Sequence, residues 1–178
     1  MPVINRTPYR NLILTGYMGV GKTVVGRNIA KQLDIPFYDI ENEIELREGQ
    51  STHLIRDLFG ESRLRTLEAE LVREMVLVRQ SVIVVNGPTL LDSVNLERLQ
   101  ETGPVLCLTA VLNEVLRRLH VAQGARFHSP NARATALGRL KREQRVLELS
   151  LPQLDTTGLT IEVVTERAIQ FWMEHADI

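Results

Sequence analysis

The residues with the clearest chemical purpose form one run near the start of the chain, Gly16-Tyr17-Met18-Gly19-Val20-Gly21-Lys22-Thr23. The run fits G-x-x-x-x-G-K-[ST], in which glycines let backbone N–H groups approach phosphate oxygens without a Cβ in the way. Lys22 would reach the β- and γ-phosphates of a nucleotide, and the Thr23 hydroxyl would bind Mg²⁺. The run predicts a site for ATP and Mg²⁺, with nucleotide contacts from Gly16, Met18, Gly19, Val20, Gly21, Lys22 and Thr23.

The residues on either side of this run supply the strand and the helix that the motif requires. Leu12-Ile13-Leu14 is typical of a buried strand, and the apolar pattern after Lys22 predicts a helix that ends at Leu33. The N-terminus of such a helix has unpaired N–H groups and a partial positive charge, which both favour bound phosphate. A glycine turn that merely starts a helix is the alternative, but the flanking strand and helix favour the phosphate site.

A second polar cluster, Asp39-Ile40-Glu41, ends another predicted strand. Alternation along a strand places both carboxylates on the same side of the chain. One carboxylate would hold Mg²⁺ through water, and the other would orient an acceptor hydroxyl. The alternative is that the two carboxylates cap the helix predicted over Ile40–Arg47 and stabilise its dipole.

Basic residues are candidates for binding phosphates or an acidic substrate. The stretch from Val121 to Ala134 breaks the helical pattern and carries Arg126, which favours a lid over phosphates; a solvated surface loop is the alternative. Arg65 and Arg142 lie in highly charged helical segments. On charge pattern alone, such arginines are more often solvated partners in surface salt bridges.

Apolar runs alternate with helical patterns along the chain, which predicts an α/β fold with a parallel sheet and helices on both faces. Ligands of such sheets bind beyond the carboxyl ends of the strands, so Gly16–Thr23, Asp39–Glu41 and Asn86–Pro88 should surround one crevice. The candidate strands are Asn11–Thr15, Pro36–Tyr38, Ser81–Val85, Pro104–Thr109 and Leu151–Asp155. The candidate helices are Lys22–Leu33, Ile40–Arg47, His53–Phe59, Ser62–Arg79, Val94–Gln100, Leu112–His120, Thr135–Leu149 and Ile161–His175.

Composition limits the classes of protein to consider. The 178 residues are 44% apolar and 24% charged with a net charge of −1, which favours one globular domain over residues 1–178 and neither a nucleic-acid nor a membrane partner. Met1 to Arg10 contain no apolar signal region, so we expect a cytoplasmic protein, and we expect a monomer. The single cysteine, Cys107, lies in a strand-like run and should be a buried, inert thiol. The four histidines lack metal-ligand spacing, so we assign no zinc site.

Several of these motifs together resemble the shikimate kinase family. The similarity begins with the phosphate loop and continues through Pro36-Phe37-Tyr38-Asp39-Ile40-Glu41 and Glu43-Ile44-Glu45. Phe59-Gly60-Glu61 and Leu64-Arg65-Thr66-Leu67-Glu68 are similar to the family's Phe-Gly-Glu segment and F-R-x-x-E motif. Leu154-Asp155-Thr156-Thr157-Gly158-Leu159 resembles its last strand and adenine-side loop, so the resemblance runs from about Asn11 to Phe171.

The resemblance implies a P-loop kinase with a five-stranded parallel sheet, an acceptor-binding subdomain at about residues 39–68 and a lid at about 121–134. It implies transfer of the ATP γ-phosphate to the 3-hydroxyl of shikimate, a step of aromatic amino acid biosynthesis. Site roles carry over by position. The implied catalytic residues are Lys22, Glu41 and Arg126; substrate contacts are Glu41, Arg65, Gly87 and Arg142; and metal contacts are Thr23 and Asp39. Arg117 and Arg118 fall near the arginine that stacks on adenine, and Arg118 is the implied ATP contact.

The chain departs from the family pattern at four places, all on the acceptor or lid side. Glu41 replaces the second aspartate of D-x-D, and Asn86-Gly87-Pro88 replaces Gly-Gly-Gly. Arg126-Phe127-His128-Ser129-Pro130 replaces Arg-Pro-Leu-Leu, and Arg142-Glu143-Gln144-Arg145-Val146 replaces R-x-P-L-Y. Three hypotheses follow: a divergent shikimate kinase, a P-loop kinase for another small hydroxylated molecule, or a nucleotide-binding domain without turnover.

Overall fold

A five-stranded parallel sheet lies at the centre of the part of the chain that the computed structural model describes, residues 7–177. Residues 1–6 lie outside the described part, so the prediction of no signal region in Met1 to Arg10 falls mostly on residues that are not described. The strand order is β2-β3-β1-β4-β5. The strands are β1 (Leu12–Gly16), β2 (Phe37–Asp39), β3 (Val82–Val84), β4 (Val105–Thr109) and β5 (Gln153–Asp155).

The central strands are buried on both faces because helices cover the two sides of the sheet. All residues of β1 and β3 are buried, which explains their continuous apolar sequences. Leu14 in β1 pairs with Val84 in β3 and with Leu106 in β4. Cys107 is buried in β4, as predicted, and burial raises the pKa of its thiol to about 11. This register brings the carboxyl ends of β1, β2 and β3 to one edge of the sheet.

Helices connect successive strands. In the described residues they are α1 (Lys22–Leu33), α2 (Ile40–Glu48), α3 (Thr52–Phe59), α4 (Glu61–Met75), α5 (Gly87–Leu90), α6 (Ser93–Thr102), α7 (Leu112–Gln123), α8 (Pro130–Glu143) and α9 (Ile161–His175), with 3-10 turns at Gly124–His128 and Gln144–Leu149. The α/β prediction is confirmed, and α1 and α9 have the predicted bounds. A search of the described helices finds none with the length and apolar character needed to cross a membrane.

The segment predicted as a structureless loop, Val121 to Ala134, is instead almost entirely helical. The helix α7 runs on to Gln123, a 3-10 turn follows, and α8 begins at Pro130. Gly124 ends α7 with φ 53°, and Pro130 occupies the first turn of α8. Both residues disfavour a helix interior but suit helix ends, so they divide two helices here rather than mark a loop.

Most other bounds differ from prediction by no more than two residues, and three elements differ by more. The helix α4 ends at Met75 instead of Arg79, because the Arg79 guanidinium donates to the carbonyls of Val76 and Val78 and closes a turn there. The short helix α5 was not predicted, since its four residues Gly87–Leu90 carry no periodic signal. The helix predicted over Thr135–Leu149 is the second part of α8 followed by a 3-10 turn.

Candidate active site

The phosphate loop has the backbone geometry that its glycines predict. Gly16, Gly19 and Gly21 have φ of 143°, 83° and 91°, values that residues with a side chain rarely adopt. A Cβ on Gly16 would also lie 2.5 Å from the carbonyl oxygen of Leu108. Because Gly21 is the left-handed residue before α1, the first N–H groups of that helix face the loop.

The loop is fixed to the neighbouring strand by Tyr17, whose side chain is buried. Its hydroxyl donates to the Ala110 carbonyl at 2.7 Å and accepts from the Ala110 N–H at 2.9 Å. These two bonds attach the loop to the residue that follows β4. A variable position of the motif therefore stabilises the loop by tertiary contact.

Lys22 and Thr23 occupy the positions expected for phosphate and metal contacts. Lys22 is 9% exposed and forms no ion pair within residues 7–177, so its charge is available to a ligand. The Thr23 hydroxyl donates to Asp39 Oδ2 at 3.1 Å. The other Asp39 oxygen accepts from the Asn42 N–H at 3.2 Å and caps α2. Asp39 thus caps its helix and faces the phosphate loop at the same time.

The Thr23 and Asp39 oxygens fit Mg²⁺, which prefers hard oxygen ligands. The described residues hold no group of three or more His, Cys, Asp or Glu side chains that would cage a metal. Magnesium at a nucleotide usually needs only one or two protein ligands, because phosphate oxygens and water complete its shell. This pair therefore suits magnesium that arrives with a nucleotide.

Arg118 lies on the far side of the phosphate loop and joins it to the end of β5. Its guanidinium donates to the Gly19 carbonyl at 3.2 Å, to the Thr156 carbonyl at 2.9 Å and to Glu114 at 3.0 Å. Arg118, Glu114 and Thr156 border a cavity of about 310 Å³, whose wall also includes Leu159. The cavity adjoins Gly21 and lies where the sequence places the adenine.

Glu41 is held by three donors on the acceptor side. Its Oε1 accepts from the Thr52 hydroxyl at 2.9 Å and from Arg139 Nη2 at 3.1 Å. Its Oε2 accepts from the Asn86 amide at 2.8 Å and from the same Arg139 nitrogen at 3.0 Å. Burial alone would raise the pKa of Glu41, but Arg139, Asn86, Thr52 and Lys22 outweigh it and hold the pKa below its usual value. Glu41 is therefore a carboxylate at neutral pH.

Glu41 faces a cavity of about 390 Å³ between the sheet edge and α8. The cavity is large enough for a small metabolite. Its wall combines residues of the phosphate loop, of α2 to α4 and of α8. Polar residues on that wall include Glu41, Thr52, Arg56, Glu68, Asn86, Arg139, Arg142 and Glu143.

Arg65 and Arg142 meet in an adjoining cavity of about 380 Å³, which Arg145 also lines. Neither the Arg65 nor the Arg142 side chain forms a hydrogen bond or an ion pair with another described residue, so both guanidinium groups are open to an anionic ligand. Arg142 and Glu68 border both cavities, and burial raises the pKa of Glu68 to about 7. The two predicted substrate arginines therefore line one cavity, which adjoins the cavity that Glu41 lines.

Glu143, at the end of α8, links the two halves of the site. Its Oε2 accepts from the N–H of Met18 in the phosphate loop at 2.6 Å, and its Oε1 accepts from Arg139 Nε at 2.9 Å. The residue is only 3% exposed. A continuous series of polar contacts therefore runs from the phosphate loop through Glu143 and Arg139 to Glu41.

Two predicted site residues lie away from the cavity walls. Gly87 packs on the end of α8, where a Cβ would lie 2.7 Å from the Glu143 carbonyl oxygen and 2.8 Å from Val146 Cβ. Arg126 is exposed in the 3-10 turn after α7, where it lines neither acceptor cavity. The small size of Gly87 thus serves packing in this structure.

Sequence reasoning missed Thr52, Arg139 and Glu143 and treated Asn86 only as a departure from a pattern. Nothing local marks Thr52, which is 11 positions from Glu41. Arg139 and Glu143 have the i, i+4 spacing of an ordinary helical ion pair. That spacing was the available signal, but it does not tell a surface pair from one inside a site.

Comparison with known proteins gives a consistent result. The family model described as shikimate kinase matches residues 18–172. The shikimate kinase of Thermodesulfovibrio yellowstonii is 34% identical over 164 residues, which cover 90% of this chain and 94% of that protein. The shikimate kinase of Geobacter sulfurreducens is 34% identical over 168 residues, covering 93% of this chain and 92% of that protein.

A solved structure of another shikimate kinase is also similar to this chain. The shikimate kinase from Acinetobacter baumannii in complex with shikimate superposes with a TM-score of 0.77 at 25% identity. The match covers 94% of this chain and 95% of that one. The phosphate loop, the acceptor carboxylate and the arginine pair thus occur in a chain that is similar to these enzymes over nearly all its length. The chain belongs to the shikimate kinase family.

Proposed function

We propose that this chain transfers the γ-phosphate of ATP to the 3-hydroxyl of shikimate. The observation that supports this most is that the phosphate loop and the acceptor residues border one pair of adjoining cavities. Met18 of the loop and the ionised Glu41 line the first cavity, and the unpaired side chains of Arg65 and Arg142 line the second. A hydroxylated carboxylic acid would satisfy Glu41 and the arginines at the same time.

The nucleotide half binds ATP through the backbone of Gly16–Thr23 and the charge of Lys22. Arg118 and the residues after β5 border the adenine cavity. Thr23 and Asp39 would hold Mg²⁺, which when bound neutralises charge on the phosphates. Lys22 stays beside the γ-phosphate during transfer, because the charge that develops there needs a fixed cation.

The acceptor half binds shikimate at both ends. The planar guanidinium groups of Arg65 and Arg142 match a carboxylate, to which each can donate two parallel hydrogen bonds. Glu41 accepts the hydrogen bond of the reacting hydroxyl and orients its oxygen toward the γ-phosphorus. A bond forms between that oxygen and the phosphorus as the bond to the β,γ-bridging oxygen breaks. ADP leaves with the electron pair, and the hydroxyl proton passes to Glu41 and then to solvent.

A coupled ADP-release assay with ATP and Mg²⁺, with and without shikimate, tests the proposal. We expect ADP release to depend on shikimate. Release that shikimate does not change, together with no shikimate binding in calorimetry, would reject this acceptor. Such a result would leave another hydroxylated metabolite or a domain without turnover.

The role of Arg65 has a matched control on the same helix. Arg65→Lys keeps the charge but loses the planar fork, so the KM for shikimate should rise by about tenfold, a loss of about 1.4 kcal/mol, with little change in kcat. Arg63 is exposed and lies 3.6 Å from Glu48, so Arg63→Lys should change neither value. Equal kinetics for the two variants would remove Arg65 from the acceptor site.

The proposal also includes the cellular and quaternary state that the composition predicts, a cytoplasmic monomer. Light scattering on the purified protein over a range of concentrations would measure its mass. A mass of about 20.2 kDa at every concentration agrees with a monomer. A concentration-dependent increase contradicts it.

A further inference from the structure

Donors already cover both oxygens of the Glu41 carboxylate. Thr52 donates to Oε1, Asn86 donates to Oε2, and a single Arg139 nitrogen, Nη2, lies between the two oxygens at 3.1 Å and 3.0 Å. An acceptor hydroxyl must therefore compete with these donors, and the place between the two oxygens opens when Arg139 leaves.

Arg139 is the donor most able to leave. Thr52 is fixed at the start of α3, where its backbone N–H also donates to Glu45 at 3.0 Å. Asn86 directly precedes α5 and has a short side chain. The side chain of Arg139 is long and 42% exposed, on a helix distant in sequence from Glu41. Exchange of Arg139 requires a change of side-chain rotamers alone.

The contacts of Arg139 show where its charge would go. Its Nε is bound to Glu143, and Glu143 is bound to the Met18 N–H in the phosphate loop. The Nη1 group donates no hydrogen bond to any described residue, so one edge of the guanidinium is already open. With Nε retained by Glu143, the two terminal nitrogens can turn from Glu41 toward phosphates bound at the loop.

We propose that Arg139 is a catalytic residue that exchanges Glu41 for the transferring γ-phosphate as the acceptor hydroxyl binds. This inference rests on the proposed kinase function. The exchange frees Glu41 to accept the hydroxyl and brings a planar cation with two open donors to the phosphate. Arg139 thereby stabilises the charge on the phosphoryl oxygens while the new oxygen–phosphorus bond forms and the bond to ADP breaks.

This assignment separates Arg139 from Arg126, which the sequence predicts as the lid arginine. Arg126 is exposed in the 3-10 turn, whereas Arg139 lies on the cavity wall. An arginine that acts at the phosphate must be close enough to touch it. Arg139 lines the same cavity as Met18 of the phosphate loop, whereas Arg126 lines neither acceptor cavity.

The test compares Arg139→Met, Arg139→Lys and Lys141→Met, the last a control for an exposed cation on the same helix. Loss of a preorganised donor to developing charge typically lowers kcat about 100-fold or more, so we expect that loss in Arg139→Met. Arg139→Lys should retain part of the rate, and Lys141→Met all of it. Thermal melts identify any variant that fails to fold, and Arg139→Lys then carries the test.

Two binding measurements distinguish catalysis from support of Glu41. By calorimetry with Mg²⁺, the preference for a non-hydrolysable ATP analogue over ADP should fall about tenfold in Arg139→Met, about 1.4 kcal/mol. Shikimate affinity without nucleotide should stay equal or increase, because Arg139 no longer competes for Glu41. Weaker shikimate binding with an unchanged analogue preference would instead make Arg139 a structural support.

Other outcomes also decide the proposal. If Arg126→Met loses the rate and Arg139→Met keeps it, the inference is wrong. If the wild type shows no shikimate-dependent turnover, the proposed function fails, while the comparison of ADP with the analogue still determines whether Arg139 contacts the γ-phosphate.

Discussion

The nucleotide half and the acceptor half of this site are assembled in different ways. The nucleotide half is one contiguous run, Gly16–Thr23, whose N–H groups are arranged by its own backbone. The acceptor half is built around Glu41 from side chains up to 98 positions away in sequence. The glycines specify the backbone angles of the loop locally, and Tyr17 adds a tertiary contact, whereas the acceptor half depends entirely on the packing of α3, α5 and α8.

The difference explains where the chain departs from its family. Glu41 is one methylene longer than the aspartate of the family pattern, and Asn86 stands where the pattern has glycine. In the structure these two residues touch, at 2.8 Å. The longer carboxylate and the added amide are therefore hydrogen-bonded partners in this chain. The phosphate loop leaves no room for an added side chain, because a Cβ at Gly16 meets backbone.

The largest expected effect lies in the nucleotide half. Lys22→Met removes the only charge supplied by the phosphate loop and should lower kcat by about 100- to 1,000-fold, as loss of one preorganised donor does elsewhere. Steady-state kinetics with saturating ATP and shikimate measure it. Lys31→Met, an exposed cation in the last turn of the same helix, should keep full activity. Similar rates for both variants would mean that this loop does not serve catalysis.

The next effect lies at the centre of the acceptor half. Glu41→Gln keeps the shape of the side chain but loses the negative charge, so kcat should fall about 100-fold while ATP binding stays the same. The exposed Glu48→Gln is the control. A Glu41→Gln variant that loses ATP affinity as well would show that the two halves are not separable.

Shortening Glu41 tests whether it has changed together with Asn86. Glu41→Asp alone withdraws the carboxylate from Asn86, Thr52 and Arg139, so we expect a loss of about tenfold in kcat/KM. A double-mutant cycle with Asn86→Gly should give a coupling of about 0.5–3 kcal/mol, as residues in contact usually do. Additive losses would contradict a coupled pair.

A smaller effect is expected at the adenine side. Arg118→Met removes donors to Gly19 and Thr156, so the KM for ATP should rise by about tenfold, or about 1.4 kcal/mol, with shikimate KM unchanged. Arg167→Met is the control, because Arg167 is exposed on α9 and does not line the adenine cavity, so the KM for ATP should not change. A rise in shikimate KM in Arg118→Met would show that the adenine side reaches the acceptor half.

The fold and the nucleotide half were predictable from sequence because their signals are local. Alternating apolar runs and helical patterns gave the parallel sheet, and the phosphate loop lies at the end of β1 as predicted. Gly124 and Pro130 were misjudged since the same residue types mark loops and helix ends. Only the tertiary structure shows that they separate two consecutive helices.

The acceptor half could be predicted only in part. Family motifs indicated Glu41, Arg65 and Arg142, and the structure places all three on the walls of adjoining cavities. The contacts of Glu41 with Thr52 and Arg139 could not be found by pattern, because no sequence spacing relates α2 to α3 and α8. These contacts form only when the tertiary fold brings the three helices together.

The smallest expected effect concerns Glu68, which borders both acceptor cavities. Burial, reinforced by the charge of Glu61, raises its pKa from 4.5 to about 7 despite the opposing charges of Arg56 and Arg65. Between these two values the native chain binds more protons at Glu68 than the unfolded chain does. The free energy of unfolding should therefore fall as pH rises from about 4.5 to about 7.

Removal of the Glu68 carboxylate should make the free energy of unfolding less dependent on pH. At about 1.36 kcal/mol for each pKa unit, Glu68→Gln should be more stable than the wild type at pH 8 by about 1–3 kcal/mol, with little difference at pH 4.5. Urea unfolding at both pH values measures it, and Glu70→Gln, an exposed change on the same helix, should follow the wild type. An equal pH dependence in Glu68→Gln and the wild type would mean that Glu68 titrates at an ordinary pKa. In that event the buried carboxylate of Glu68 would not reduce the stability of the acceptor half at neutral pH.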